Sequence, residues 1–121
     1  KLDRTPPTKA DLIYCLPTSI RSSIIGTLIG AIPGTGGDIA SWVGYNEAKR
    51  WSKHPEKFGD GAPDGIAGPE AANNAVSGGA LIPLLSLSIP GDACPAIMLG
   101  ALMMLGITPG PLLMVESPDK V

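Results

Sequence analysis

Charge is missing from three long stretches of this chain: Ser22 to Gly37, Ala71 to Gly91, and Ala93 to Val115. Soluble proteins carry charges along most of their helices, so this segregation favours a membrane protein. Aromatic residues are scarce, at 4%, and His54 is the sole histidine. The basic residues are not interleaved with stacking side chains. With a formal net charge of −2, nucleic-acid binding finds no support. Only two cysteines occur, Cys15 and Cys94, far apart and without a partner motif. Together with one histidine they cannot build a four-ligand zinc site, and both are expected to be buried, inert thiols. No signal peptide is recognisable, because the Pro-rich, charged N-terminus lacks an adjacent apolar core ending in a cleavage site. The chain opens on Lys1 and closes shortly after the unfinished apolar segment Pro111–Val115. It reads as an excised piece of a longer protein, holding at most one domain.

Punctuation, by contrast, is dense, with 16 Gly and 13 Pro in 121 residues. Two Ile-Pro-Gly sequences interrupt apolar surroundings: Ile32-Pro33-Gly34-Thr35-Gly36-Gly37-Asp38 and Ile89-Pro90-Gly91-Asp92. Pro removes a backbone donor and Gly accepts positive φ, so each should break a helix and expose amides. Inside a membrane such a break survives only where it is buried in protein or lines a wet cavity. Paired, Gly/Pro-interrupted apolar segments are the strongest sequence pointer to a transporter's substrate site. The fold class expected is therefore an all-α membrane protein with discontinuous helices and at least one re-entrant hairpin.

The segments read as follows. Residues 1–21 form a polar linker and an interfacial helix interrupted near Pro17. Residues 22–48 form a re-entrant hairpin of two arms, Ile24–Ile32 and Ile39–Ala48. Each arm is about ten residues, roughly half of a 30 Å hydrocarbon core. Lys9 and Arg21 before it, and Lys49, Arg50, Lys53 and Lys57 after it, place both ends on the cytoplasmic side. Residues 49–68 are a polar cytoplasmic loop. Residues 69–115 hold a second broken-helix pair and the start of another membrane segment, with Pro69 at a first helical position and Pro83 as a kink. Residues 116–121 are a polar end. Trp42, Tyr45 and Trp51 suit interfacial anchoring, and Met98, Met103 and Met104 suit lipid contact or core filling.

Several residues carry candidate chemistry. Gly34-Thr35-Gly36-Gly37 lacks the Lys-Ser/Thr of a Walker loop, and Ile39 stands where a dinucleotide fingerprint needs glycine. What remains is a Gly-rich turn entering a helix, whose amides can face an anion. The same glycines could equally serve only a tight turn. Glu70, Asn73, Asn74 and Ser77 follow i, i+3, i+4, i+7 spacing and form one polar stripe. Asn73 and Asn74 could bind carboxylates or a cation, or could tie helices together. Ala71, Ala75 and Gly79 give another face small-xxx-small spacing for close helix contact. Asp38 and Asp92 each follow a break, where a carboxylate either holds a cation or caps the next helix.

The ordered motifs also carry a resemblance. They run Gly26-x3-Gly30-x2-Pro33-Gly34-x-Gly36-Gly37, then Lys49-Arg50-x2-Lys53-x-Pro55-Glu56-x-Phe58-Gly59-x-Gly61. Pro69-Glu70-Ala71-Ala72-Asn73-Asn74-Ala75, Gly78-Gly79-Ala80-x-Ile82-Pro83, Ile89-Pro90-Gly91 and Pro109-Gly110-Pro111 follow. This run, over residues 20–114, closely resembles the large membrane subunit of the tripartite tricarboxylate transporters, the TctA family, in its second half. Ser88 and Gly68 depart from the family pattern, where Gly and Ala are expected. The resemblance implies a multi-pass bacterial inner-membrane protein and a secondary, cation-driven carrier. It also implies a small membrane subunit and a periplasmic binding protein as partners, and no enzymatic activity. The carrier would take an organic di- or tricarboxylate, with sodium or a proton as coupling cation and no other cofactor. Gly34, Thr35, Gly36, Gly37, Asn73, Asn74, Ser77 and Gly91 are the candidate substrate contacts, with Asp38 and Asp92 as cation or capping groups. Two rivals stand beside it: a soluble nucleotide- or anion-binding domain, and a helical membrane scaffold that transports nothing.

Overall fold

The computed structural model describes residues 6–116, and among these the regular structure is entirely helical. Five α-helices follow in order: α1 (Lys9–Gly30), α2 (Gly36–Trp51), α3 (Asp64–Leu87), α4 (Ala93–Met104) and the short α5 (Leu113–Glu116). A 3-10 turn at Pro55–Lys57 lies between α2 and α3. Residues 1–5 and 117–121, which include most of the expected polar end, lie outside the described range.

Local chemistry sets the helix limits. Thr8 and Asp11 form a capping box in which each side chain serves the other's backbone N–H, fixing the start of α1. Lys49 and Arg50 sit in the last turn of α2, where they complement the helix dipole. α3 ends on Ser88, whose φ of 57° and ψ of 28° are left-handed, and whose N–H bonds to the Leu84 carbonyl at 3.0 Å. This is the conformation that favours glycine, and a serine there costs about 1 kcal/mol. The position where the family pattern expects Gly is thus the one non-glycine residue at positive φ among those described.

The three long helices pack together, with α3 against both α1 and α2. Gly26 approaches the Ala72 backbone, Gly30 the Val76 backbone, and Gly79 the Thr27 carbonyl. These pairings advance together, so α1 and α3 run parallel. Gly37 meets Asn73 while Gly44 meets Gly68, so α2 returns antiparallel to them. The buried residues of α1 are Thr18, Ser22, Gly26 and Gly30, and those of α2 are Ala40, Gly44 and Ala48. Both series repeat every fourth residue, so one narrow face of each helix is small enough for backbones to touch.

Large side chains point the other way. Ile13, Ile24, Leu28, Trp42, Ile66, Ile97 and Met104 are all more than half exposed. Among described residues, Leu84 and Ser22 are the largest side chains fully buried. A water-soluble core buries bulky aliphatics because their burial drives folding. Here the pattern is inverted, as expected where the outward face meets lipid or further protein.

Several sequence expectations change at this point. Pro17 does not interrupt a helix: α1 runs unbroken through it for 22 residues, about 33 Å. An internal proline costs about 3 kcal/mol, and the close contacts of Ser22, Gly26 and Gly30 with α3 offset it. The boundary placed between residues 21 and 22 therefore falls inside one helix, and the first hairpin arm is not half-length. α1 is long and apolar enough to cross a membrane, with Lys9–Gly30 as the candidate span. Pro69 is not the first residue of its helix, since α3 starts at Asp64 with the Ala67 N–H bonded to the Pro63 carbonyl. The polar loop consequently shortens to residues 52–63. The close-contact face of α3 is Gly68, Ala72, Val76 and Ala80, together with Gly79, rather than Ala71 and Ala75.

Candidate functional site

The chain leaves helical conformation between Gly30 and Gly36 and again between Leu87 and Ala93, and these two reversals touch. Gly34, at φ 85°, donates its N–H to the carbonyl of Gly91 at 2.8 Å. Beside that contact lies a cleft of about 460 Å³, lined by Gly36, Gly37, Asp38, Asn73, Val76, Ser77, Ala80 and the start of α4 from Asp92 to Pro95, with Met98.

Each wall has a local cause. The first turn of α2 supplies Gly36, Gly37 and Asp38, and its Thr35 cap position makes no side-chain capping bond. The leading amides of a helix have no intrahelical partner, so this end presents donors. Gly36 adopts φ 67°, and Gly37 lies against the Asn73 amide oxygen so closely that a Cβ would collide with it. On α3, Asn73 and Ser77 are four residues apart and share the face turned to the cleft. From α4, Asp92 caps its own helix by accepting the Cys94 N–H at 2.9 Å. A Cβ on Gly36 would stand 3.9 Å from the other Asp92 carboxylate oxygen.

The structure thus gathers Gly36, Gly37, Asp38, Asn73, Ser77 and Asp92 around one space. It does not bring Thr35 there: the hydroxyl donates to the carbonyls of Ile29 at 2.7 Å and Ile32 at 2.8 Å, closing the end of α1. Asn74 stands outside the cleft lining, with its amide donating to the Glu70 carbonyl at 2.8 Å. Gly34 and Gly91 lie behind the cleft, their backbone groups engaged with each other. Asp92 has the capping geometry, whereas Asp38 sits in the first turn of α2 without a capping bond.

Sequence reasoning missed Cys94 and Met98. Cys94 was expected to be a buried thiol, but it is exposed and lines the cleft. Its position two residues after Asp92, in the first turn following the second break, was the available signal. Among the described residues no Lys, Arg or His lines the cleft, which carries two carboxylates. Among the described residues no three His, Cys, Asp or Glu side chains gather as a metal site. A separate groove of about 340 Å³ along Leu81, Ile82, Leu85, Pro111 and Leu113 offers no charged group to hold an anion.

Residues 1–121, the whole chain, match the family described as the tripartite tricarboxylate transporter TctA family. The chain belongs to the TctA family. It is 48% identical over 99 residues to an uncharacterized 52.8 kDa protein in the TAR-I ttuC′ 3′ region of Agrobacterium vitis. That match covers 82% of this chain and 20% of the relative. A second relative, an uncharacterized protein in the TAR-II ttuC′ 3′ region of the same organism, is 46% identical over 93 residues. It is matched over 77% of this chain and 38% of its own length. This TctA-family chain therefore spans only a minor part of the curated relatives it matches. No solved structure matches it.

Proposed function

We propose that this chain is the part of a carboxylate carrier's membrane subunit that forms one wall of the substrate site. The observation that carries the reading is the cleft beside the Gly34–Gly91 contact, where two interrupted helices and the Asn73–Ser77 face converge. Amides of the first α2 turn, the Asn73 amide and the Ser77 hydroxyl are donors suited to a di- or tricarboxylate. Asp38 and Asp92 would repel a bare anion, so in this reading a coupling cation, sodium or a proton, neutralises them on entry. Family membership supports the transport class and, with it, a small membrane subunit and a substrate-delivering binding protein as partners. The inverted packing of small residues inside and large apolar residues outside supports a multi-pass setting in a bacterial inner membrane.

The antiparallel return of α2 along the bundle supports a hairpin that enters and leaves on one side. The Arg21 guanidinium, from the middle of α1, lies 5.1 Å from the centre of the Trp51 ring at the end of α2, a cation–π contact that joins the two arms. The test is uptake by the complete carrier reconstituted in proteoliposomes. Gly36→Leu forces bulk onto φ 67° at the cleft mouth and is expected to abolish uptake in protein that still inserts. Normal uptake by inserted Gly36→Leu would remove the cleft as the substrate site.

A further inference from the structure

α4 is held unlike the three long helices. It packs only lightly on α3, and Pro95 is its one buried residue. Its first turn nevertheless forms a wall of the cleft through Asp92, Ala93, Cys94 and Pro95. What returns α4 to the bundle lies beyond its far end. The Ile107 N–H bonds to the Leu102 carbonyl at 2.9 Å, turning the chain back. The Gly110 N–H then reaches the Leu85 carbonyl at 2.9 Å, and the Ser88 hydroxyl donates to the Pro109 carbonyl. Both ends of the α4 unit are thereby tied to the end of α3.

We infer that Ser88 is a positioning residue: its hydroxyl clasps the segment after α4 and so sets how closely the α4 wall sits over the cleft. The inference rests on the cleft reading above. Two observations independent of that reading carry it. Ser88 occupies a left-handed backbone position that glycine fills at no cost, so the side chain must serve a purpose worth that strain. Its hydroxyl also bridges 21 residues of sequence, joining the end of α3 to the segment that follows α4. Glycine at this position would keep the turn and lose the clasp, leaving the Gly110–Leu85 backbone bond to hold the segment and α4 less firmly placed over the cleft.

Cys94 is the natural reporter, since it is exposed on the α4 wall. In the complete carrier with its other cysteines replaced, the alkylation rate of Cys94 is measured for wild type, Ser88→Gly and Ser88→Asn. Ser88→Gly should raise the rate about fivefold, the factor represented by one net hydrogen bond. Asn tolerates the left-handed conformation and carries an amide donor, so Ser88→Asn should restore the wild-type rate. An unchanged rate in Ser88→Gly, or a rise that Asn does not reverse, would overturn the clasp. Saturating carboxylate should separately slow alkylation of wild type. If it does not, the cleft is not the substrate site, while the response to Ser88→Gly still decides the clasp.

Discussion

The amide of Gly34 donates a 2.8 Å hydrogen bond to the carbonyl of Gly91, so the two Ile-Pro-Gly reversals, 57 residues apart, lean on one another. Gly34 also stands at φ 85°. Alanine would keep the donor and cost about 1–2 kcal/mol in backbone conformation. Proline would lose the donor and require the opposite sign of φ. Thermal unfolding in detergent should rank wild type above Gly34→Ala and Gly34→Ala well above Gly34→Pro. Equal stabilities would show that the contact contributes nothing.

Helix contact through glycine predicts opposite responses at two sites. A Cβ on Gly26 would collide with the Ala72 backbone, whereas one on Gly78 meets nothing within 4 Å. Gly26→Ala should destabilise by about 1–3 kcal/mol as α1 is pushed from α3. Gly78→Ala should stabilise by about 0.5–1 kcal/mol through helix propensity alone. The comparison is made on the same detergent-solubilised protein, where both shifts are read as changes in unfolding temperature.

The neighbouring asparagines should separate cleanly. Asn73 lines the cleft, while the Asn74 amide is committed to the Glu70 carbonyl one turn back. Hydrogen bonds to a charged group contribute about 1.5–3 kcal/mol, so Asn73→Ala should weaken carboxylate binding by at least about tenfold. Asn74→Ala should stay within about twofold of wild type by the same measure. Calorimetric titration of the reconstituted carrier distinguishes them, and a larger loss at Asn74 would reverse the assignment.

Charge and capping at Asp92 can be pulled apart. Asn caps a helix about as well as Asp, so Asp92→Asn should leave stability nearly unchanged. It should flatten the dependence of carboxylate binding on sodium or proton concentration, because one of the two cleft carboxylates is gone. Asp92→Ala should in addition lose about 1 kcal/mol of stability. Undiminished cation dependence in both variants would leave Asp92 as a cap alone.

Side of exposure tests the hairpin. Because α2 returns antiparallel to α1, Lys9 and Lys53 lie toward the same end of the bundle. Single cysteines at both positions should react with an impermeant reagent from the cytoplasmic face. Labelling from opposite faces would mean that residues between them cross the membrane once.

Much of this was legible in the chain. The all-helical class was legible, and the helix ends at residues 31–35 and 88–92 fall where Pro33-Gly34 and Pro90-Gly91 stand in the sequence. Spacing alone put Asn73 and Ser77 on one face. The continuity of α1 through Pro17 was not readable, because it depends on tertiary contacts that outweigh a local penalty. The exact contact stripe of α3 escaped for a related reason. Alanine and glycine occur on several of its faces, and composition cannot say which of them meets Gly26 and Gly44. Thr35 and Asn74 had the right chemistry in the right neighbourhood, but nearby carbonyls claim both side chains.

Helix contact faces built mostly from glycine, alanine and serine, with Val76 and Leu84 among the few larger buried side chains, have few rotamers to change. Ala40, Ala48 and Ala72 carry no χ1 choice of polar or branched groups, and Gly26, Gly30 and Gly44 carry no side chain. The α1–α3 block therefore cannot adapt by repacking, as a leucine-rich interior does. Shape change must pass through the joint at residues 88–92, with the block of α1, α2 and α3 behaving as a rigid body on one side of it. Bulky positions on the outside should consequently tolerate exchange freely, while the smallest residues in the chain are the ones least open to substitution.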